Sequence, residues 1–423
     1  MKPTSIHFNN TMINNNRSLF AFISLIFILL LSFNGLSIFS LNIPSPEKLS
    51  KSSPNLFSVS SPSQIQFPNP NTHLPHSRKS LSFEIESENT SENRNKKLLK
   101  TLSSLGSTRS RRGEDFPARV NQFFSKNNNE TVSCKTRFFM TWISSSNSFN
   151  QRAIHSVESV FKSHPNACLL IVSNSLDSIK GKQILKPFVD KGFRVTSISP
   201  DFNFLFKNTT AETWFLKLIK GQIRTGDISL GQNISNLLRI CLLYKYGGVY
   251  IDADVIVLRS FSKLKNAIGA QSMASNSKNW SRLNNAVMVF DKMHPLLYKF
   301  IEEFSLTFNG NKWGHNGPYM VSRVVSRLQG RPGYKFTVLP PVAFYPVSWD
   351  KIRVLFRGVK NEKNETDSRW LTGMLEQIRN QSYTLHLWNK QTRGFRIEEG
   401  SVVKKILLEH CVFCNASGTN YII

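Results

Sequence analysis

Acidic residues are scarce in this chain, because 27 Asp and Glu stand against 54 Lys and Arg, a formal net charge of +27. Such an excess of positive charge suits a nucleic acid, an anionic membrane or an anionic substrate as partner. The sequence carries no RNA- or DNA-binding signature. We therefore predict that nucleic acid is not a partner, which leaves the membrane and the anionic substrate.

Cysteine is also scarce, and the odd count leaves at least one thiol free or intermolecular: Cys134, Cys168, Cys241, Cys411 and Cys414. Cys241 lies in a predicted buried helix, where we expect it to act as a small core residue. The motif from Cys411 to Cys414 has no second cysteine pair, which argues against a zinc site. In an oxidising compartment we expect a disulfide there instead, although the sequence leaves the connectivity open.

One hydrophobic run stands out, from Leu19 to Leu41, and it carries no charge. About twenty apolar residues span a membrane once, and Asn34-Gly35-Leu36-Ser37 is a poor match to a signal-peptide cleavage site. We predict a cytosolic tail (1–18), a transmembrane anchor (19–41) and a luminal remainder. Asn9, which precedes the run, begins an Asn-x-Ser/Thr glycosylation sequence. Eight such sequences follow the run, at Asn89, Asn129, Asn208, Asn233, Asn279, Asn364, Asn380 and Asn415.

Residues 42–130 are rich in Ser, Asn, Pro and Lys and show no hydrophobic periodicity. This composition predicts a disordered luminal stem. We place the folded domain at 131–423, and its first strand begins a few residues after Cys134.

Strands then alternate with helices, which predicts an α/β fold with a doubly wound parallel sheet. The predicted elements are strand Arg137–Ile143, helix Gln151–Ser163, strand Cys168–Val172, helix Ile184–Val189 and strand Phe193–Ile198. Ligands of such sheets bind beyond the carboxyl ends of the strands. Trp142 ends the first strand, and it either flanks a nucleotide base or packs in the core.

The centre of the chain is Lys245 to Phe261, KYGGVYIDADVIVLRSF. Its apolar run Val249–Leu258 is interrupted only by Asp252 and Asp254, which predicts a strand buried on both faces. Side chains alternate along a strand, so the two carboxylates point the same way, about 7 Å apart.

Two buried carboxylates repel each other and lose hydration, which a divalent cation such as Mn²⁺ or Mg²⁺ relieves. The alternatives are that Asp252 and Asp254 face water at a strand end or pair with an arginine. An EF-hand is disfavoured, because the further oxygen ligands and the central glycine are missing.

A predicted helix, Ile234–Tyr246, leads into this strand and is apolar nearly all round. Within it, Asn236 and Arg239 lie three residues apart and face the same way. A guanidinium in a buried helix needs an anion beside it. That anion is either a diphosphate or sugar at the site, or one of the two aspartates.

The segment SNLLRICLLYKYGGVYIDADVIVLRSF resembles the DXD region of glycosyltransferase family 32. Asn284-Asn285-Ala286 with HPLLYKFIEEF, then WGHNGPYMVSRVV and LHLWNKQTRGFRIEEGS, follow in the order of its α-1,4-glycosyltransferase branch. The resemblance covers the chain from about Cys134 to the end. It implies a Rossmann-like GT-A fold with a donor-binding half (131–275) and an acceptor half (276–423).

The resemblance also implies a type II Golgi membrane protein. Its activity would be the retaining transfer of a sugar from a UDP-sugar to a glycan or glycolipid, with Mn²⁺ or Mg²⁺. The metal ligands it implies are Asp252, Asp254 and His386, although a histidine such as His386, taken without the family, is more often a packed or capping residue. The implied catalytic group is Asp252, Asp254 and Arg239. The predicted donor contacts are Asn236, Arg239, Tyr250, Asp252 and Trp142.

A glycine-rich turn, Trp313 to Pro318, is a candidate wall of the acceptor pocket. We predict acceptor contacts from His315, Asn316, Gly317, Pro318 and Trp388. The alternative is a structural turn in which Pro318 begins the helix Tyr319–Leu328, with Trp388 as a core residue.

One departure concerns Asn236, since many relatives carry Ser-Asp-x-x-Arg where this chain has Ser235-Asn236-Leu237-Leu238-Arg239. An amide accepts hydrogen bonds more weakly than a carboxylate does, so the donor sugar stays open, with galactose or N-acetylglucosamine favoured. The rival function is a non-catalytic luminal protein with a degenerate site, which binds sugar nucleotides or glycans or acts as a scaffold.

Overall fold

The computed structural model describes residues 92–102, 115–125, 134–275, 279–358 and 365–414. All of them lie in one unit, residues 76–423. The predicted cytosolic tail and transmembrane anchor lie outside the described residues, within which no helix is long and apolar enough to span a membrane. Among the described Asn-x-Ser/Thr sequences, Asn208, Asn279 and Asn380 are exposed, whereas Asn233 is buried.

The described strands form a seven-stranded sheet in the order β3-β2-β1-β4-β7-β6-β8 and a two-stranded sheet, β5-β9. The strands are β1 Thr136–Thr141, β2 Ala167–Val172, β3 Arg194–Ile198, β4 Gly248–Ile251, β5 Val255–Val257, β6 Ala267–Met273, β7 Trp280–Phe290, β8 Thr337–Leu339 and β9 Thr384–His386.

Helices cover both faces of the large sheet. They are α1 (92–102), α2 Phe116–Phe124, α3 Gln151–Ser163, α4 Ile179–Asp190, α5 Phe202–Phe206, α6 Thr210–Ile219, α7 Leu230–Tyr246, α8 Pro295–Thr307, α9 Pro318–Leu328, α10 Pro341–Phe344, α11 Glu365–Gln381, α12 Asn389–Thr392 and α13 Val402–Glu409. A 3₁₀ helix, Ile352–Phe356, lies between α10 and α11.

The predicted parallel sheet is confirmed for β3, β2, β1 and β4, which pair in parallel. The predicted helix Gln151–Ser163 has the same bounds in the structure, and Asn150 caps it by accepting from the N–H groups of Arg152 and Ala153. The other half of the sheet differs, because β7 pairs antiparallel with both β4 and β6. The fold is therefore α/β, and its large sheet is mixed, with most strand pairs parallel.

The predicted continuous strand Val249–Leu258 is wrong, because the chain turns at its two aspartates. β4 ends at Ile251, and the Val255 N–H donates to the Asp252 carbonyl at 3.1 Å. The Asp252 N–H donates to Ala286 of β7, whereas β5 pairs with β9 in the second sheet. The chain thus leaves one sheet for another at the DXD motif, and the side-chain spacing of an extended strand does not apply.

Helix α7 confirms the prediction that a long buried helix leads into the motif, starting four residues before the predicted Ile234. Gly247 ends it with φ +65°, and a Cβ there would come within 2.5 Å of the Lys292 backbone nitrogen. Only glycine fits this left-handed, crowded position. The abrupt stop sets the direction in which β4 carries the chain toward Asp252.

The cysteines follow the prediction for Cys241, which is buried and free. The other four form two disulfides, Cys134–Cys168 and Cys411–Cys414. The first joins the start of the folded region to β2, and the second confirms the expectation that the C-terminal pair is bridged.

The predicted disordered stem is wrong for two segments, because α1 and α2 lie within residues 42–130. Leu102, Phe116 and Val120 are buried in the core that β1 and α7 share. Arg119 of α2 also forms a two-pronged ion pair with Asp177, at 2.8 and 2.9 Å. Each helix carries only one short apolar stripe, too brief to stand out among its polar neighbours.

Asn95 of α1 caps a helix that begins 135 residues later. Its buried side chain accepts from the Leu230 N–H at 2.8 Å and donates to the carbonyls of Gly226 and Ile228, at 3.0 and 3.3 Å. Ser229, at the N-cap of α7, makes no capping side-chain bond of its own. The role of an N-cap residue is therefore taken by a distant segment of the chain.

Replacing Asn95 with Ala is expected to lower the free energy of unfolding by about 1–3 kcal/mol, because the buried Leu230 N–H and two part-buried carbonyls lose their partner. Urea denaturation of the purified protein measures this. Asn93→Ala is the matched control, since Asn93 is exposed on the same helix. Equal stability of the two variants would contradict a capping role. A chain that starts at Cys134 lacks both helices and is expected to fold poorly.

Candidate functional site

Asp252, Asp254 and His386 converge at the point where the two sheets meet. One potential ligand atom from each lies within 4.8 Å of the others. The cause is the pairing of β5 with β9, which sets His386 opposite Val255, the residue after the motif. The Nε2 atom of His386 lies 3.2 Å from Oδ1 of Asp254. The three residues predicted as metal ligands are thus brought together.

This group fits a divalent cation. Carboxylate oxygens and imidazole nitrogens bind Mn²⁺ readily, and adjacent ligands of an octahedral ion with bonds of about 2.1 Å lie about 3 Å apart. The 3.2 Å between His386 and Asp254 matches that spacing. The buried Nδ1 atom of His386 has no hydrogen-bond partner within the described part of the chain. One ring nitrogen of His386 is therefore left without a bonding partner among these residues.

The two carboxylates differ in their electrostatics. Burial, with Asp254 adding to it, raises the pKa of Asp252 above its ordinary value, although Arg239 offsets part of the effect. Burial would also raise the pKa of Asp254, but His386 and the Asn389 N–H, which donates at 2.8 Å, hold that pKa below its ordinary value. A cation between them would favour the ionised form of both.

Asp252 is held by Arg239 and Tyr250. The guanidinium contacts both carboxylate oxygens, at 2.8 and 3.0 Å, and the Tyr250 hydroxyl donates at 2.8 Å. Further bonds reach Ser235 and the Asn285 carbonyl, so each guanidinium nitrogen has an acceptor within 3.3 Å. Of the two alternatives for Arg239, the aspartate is its partner. Its geometry is that of a group that positions Asp252.

Tyr250 is fully buried and lines neither cavity at the site. The predicted contact between Tyr250 and the donor is therefore wrong, because the ring is enclosed behind the aspartate. Its hydroxyl instead links Asp252 to Thr141 at the end of β1, at 2.8 Å on either side. Tyr250 acts through Asp252, as Arg239 does.

Two cavities flank the aspartates. The first, of about 370 Å³, is bounded by the carboxyl end of β1 and the start of α7, with Trp142, Ser144, Ser229, Gly231, Gln232 and Ala253 in its wall. Trp142 lines this cavity while its ring packs edge-on against Phe149 at 5.0 Å and its Nε1 donates to Ser145. Trp142 is therefore partly packed against its neighbours and partly open to the cavity, and its contact with a nucleotide base stays a prediction.

The second cavity, of about 520 Å³, is rich in amides and aromatic rings. Its wall includes Asn236, Gln271, Arg282, Asn284, Asn285, Trp313, Tyr319, Trp349, Trp388, Lys390 and Gln391. Asp252, Asp254, Gln232 and Asn389 line both cavities. The acidic pair thus lies at the junction of two spaces, where it can contact ligands on either side.

Only part of the predicted acceptor turn reaches the second cavity. Gly314 and Pro318 line it, and Pro318 also begins α9, as the structural alternative predicts. Gly317 contacts Asn236 so closely that a Cβ would lie 2.9 Å from its Oδ1. Three residues of the turn do not line the cavity in this structure, so their acceptor contacts stay predictions: His315, Asn316 and Gly317.

Asn316 and His315 hold the turn together. The buried Asn316 donates to the Asn233 side chain and to the Asn309 carbonyl, and the His315 ring lies 2.8 Å from the Thr307 carbonyl. Trp388 lines the cavity as predicted, with a left-handed backbone and its Nε1 donating to Val347.

Sequence reasoning missed several residues of the second cavity. Lys390 and Asn284 lie within the segments that resemble the α-1,4-glycosyltransferase branch, so the resemblance indicated that functional residues lie close to them in sequence. Gln271 and Trp349 stand alone in the sequence and gave no such indication. Asn236, the departure from the family pattern, accepts from the Asn285 side chain at 3.0 Å, so its amide belongs to a network of amides along this wall.

Two family descriptions match the chain. "Glycosyltransferase sugar-binding region containing DXD motif" matches residues 150–275, and "Alpha 1,4-glycosyltransferase conserved region" matches residues 289–418. Together they cover most of the residues that line the two cavities, but not α1, α2, residues 141–144 at the end of β1, or Arg282, Asn284 and Asn285 of β7.

The rat lactosylceramide 4-alpha-galactosyltransferase is 30% identical over 279 residues, 63% of this chain and 71% of that protein. The human alpha-1,4-N-acetylglucosaminyltransferase is 28% identical over 223 residues, 50% of this chain and 58% of that protein. An uncharacterised Arabidopsis thaliana protein is 30% identical over 295 residues, which cover 67% of this chain and 42% of that protein. Among solved structures, a PaToxG glycosyltransferase matches at 17% identity with a TM-score of 0.34, covering 59% of this chain and 81% of that one.

The DXD match precedes the α-1,4-glycosyltransferase match along the chain, and the rat relative is 30% identical over 71% of its own length. The chain is a glycosyltransferase, and it belongs to the α-1,4-glycosyltransferase family with a DXD sugar-binding region.

Proposed function

We propose that the protein is a retaining, metal-dependent transferase of the GT-A type. It moves a hexose, galactose or N-acetylglucosamine, from a UDP-sugar to a hydroxyl of a glycan or glycolipid and forms an α-1,4 linkage. The observation that carries this is the position of Asp252, Asp254 and His386 at the junction of two cavities. The rat galactosyltransferase and the human N-acetylglucosaminyltransferase among the relatives support the two donor sugars.

The three residues would hold Mn²⁺ or Mg²⁺, which, when bound, neutralises the donor diphosphate and makes the nucleoside diphosphate a better leaving group. Trp142 and the β1 end provide a wall for the nucleoside in the first cavity. Because Arg239 is taken up by Asp252, the diphosphate needs another cation. Lys390 and Arg282, which line the second cavity, are the remaining candidates.

Retention is proposed to proceed by attack from the side of the leaving group. As the anomeric C–O bond breaks, positive charge grows on the sugar. The acceptor hydroxyl forms the new bond, and its proton passes to the departing phosphate oxygen. Of the described residues lining the two cavities, only Asp252 and Asp254 are carboxylates. A route without a protein nucleophile agrees with that lining.

The test is donor hydrolysis by the purified full-length protein with UDP-galactose, UDP-N-acetylglucosamine, UDP-glucose and GDP-mannose. We expect turnover of one of the first two, its loss on chelation, and its recovery when Mn²⁺ is added back. Hydrolysis that chelation leaves unchanged would contradict the metal assignment. A preference for GDP-mannose would contradict the donor assignment.

We also propose a Golgi location, with residues 19–41 as the anchor and the catalytic part in the lumen. The apolar run and the two disulfides support this, since disulfides persist in oxidising compartments. Protease protection in intact microsomes tests it. Digestion of the C-terminal part without detergent would contradict the orientation.

A further inference from the structure

The mouth of the second cavity carries three exposed aromatic side chains. Trp313, Tyr319 and Trp349 all line it, although large apolar side chains on a protein surface are usually scattered singly. Below them lie the amides of Gln271 and Asn284, which bond each other at 3.0 Å. Aromatic rings above hydrogen-bonding amides are complementary to a ligand with apolar C–H faces and hydroxyl edges, the surface of a sugar ring.

Two of the three rings already have a partner. The Lys390 ammonium lies 3.0 Å from the ring centre of Trp313, and the Arg282 guanidinium lies 3.8 Å from that of Tyr319. The fourth aromatic residue of this wall, Trp388, packs on His386 with ring centres 4.1 Å apart. These rings therefore complete the wall of the cavity.

Trp349 differs, because no ring or cation of the described residues stacks on it, and it is 48% exposed. Its backbone is nevertheless fixed. The N–H groups of Lys351 and Ile352 donate to the Ser348 carbonyl, and the preceding Val347 is buried and accepts from Trp388. An exposed indole on a fixed turn is preorganised for contact, so little entropy is lost when a ligand covers it.

We propose that Trp349 is the platform on which a sugar ring of the acceptor stacks, and that the acceptor is an oligosaccharide end of at least two rings. This rests on the proposed function. One ring brings its hydroxyl to the junction at Asp252 and Asp254, and the other lies on Trp349. The volume of about 520 Å³ suits this, since cavities of about 300–1,000 Å³ hold ligands the size of a disaccharide.

The experiment measures transfer by the full-length protein to lactose, N-acetyllactosamine and cellobiose, beside donor hydrolysis without acceptor. Trp349→Ala is expected to raise the KM for the best of these acceptors by about tenfold, as for a central aromatic contact. The KM for the donor is expected to stay within about twofold, because Trp349 does not line the first cavity, where the nucleoside is proposed to bind. Trp349→Phe keeps a ring and is expected to restore most of the acceptor affinity.

Trp370→Ala is the matched control, because Trp370 is 44% exposed and lines neither cavity. It is expected to leave both KM values unchanged. An unchanged acceptor KM in Trp349→Ala would overturn the proposal. So would a wild-type protein that hydrolyses its donor yet transfers to none of the three disaccharides. Absence of donor hydrolysis in the wild type would instead contradict the proposed function.

Discussion

Replacing Asp254 with Asn is expected to lower donor hydrolysis by about a thousandfold or more. The change removes one negative charge from the metal group, and a bound metal contributes several kcal/mol to charge stabilisation in the transition state. The amide keeps an oxygen for the Asn389 N–H, which donates to Asp254 at 2.8 Å. The fold should therefore persist, but thermal unfolding is expected at a somewhat lower temperature, because the lowered pKa of Asp254 means that its charged form stabilises the folded protein.

Asp291→Asn is the control for this change. Asp291 is exposed at the end of β7, where Lys265 lies 3.6 Å away. Exposed ion pairs contribute about 0–1 kcal/mol, so hydrolysis and stability should both stay unchanged. Hydrolysis that survives in Asp254→Asn while thermal unfolding is unaltered would show that this carboxylate is not part of the catalytic metal site.

Replacing Arg239 with Met is expected to lower the free energy of unfolding by about 2–3 kcal/mol, because the half-buried Asp252 carboxylate would lose its charged partner. Donor hydrolysis should fall as well, since no other side chain among the described residues contacts both oxygens of Asp252. Arg239→Lys keeps the charge but loses the two-pronged geometry, so an intermediate stability is expected. Urea denaturation at neutral pH and the hydrolysis assay measure the two effects.

A double variant separates charge from position. Adding Asp252→Asn to Arg239→Met removes the unpaired charge, so stability should recover while hydrolysis stays low. Arg379→Met serves as the control, because its pairing with Glu409 is exposed and is expected to contribute less than about 1 kcal/mol. A stable Arg239→Met protein would contradict the view that Arg239 holds Asp252.

Local patterns were enough to predict the parallel half of the fold. The apolar runs of β1, β2 and β3 and the spacing of α3 and α7 reflect burial that neighbouring residues in sequence share. The antiparallel strands β6 and β7 depend on pairing across the sheet, which periodicity does not encode. The turn at the DXD motif was not predicted for the same reason. Its apolar flanks belong to two different sheets, yet in sequence they form one run.

The site divides in the same way. Asp252 and Asp254 are visible as two charges in an apolar run, and His386 came only with the family resemblance. The role of Arg239 could not be decided from sequence, since a buried cation beside an acidic site fits either a ligand or an aspartate. The support that Asn95 gives to α7 was invisible, because a single polar residue in a polar segment carries no pattern.

The most direct test of the metal site is anomalous diffraction from crystals of the protein grown with Mn²⁺ and UDP. We expect one manganese peak bonded to Asp252, Asp254 and His386, with the diphosphate beside it. A manganese peak bonded to any other group of residues would contradict this assignment. So would UDP bound at the junction with no metal beside it.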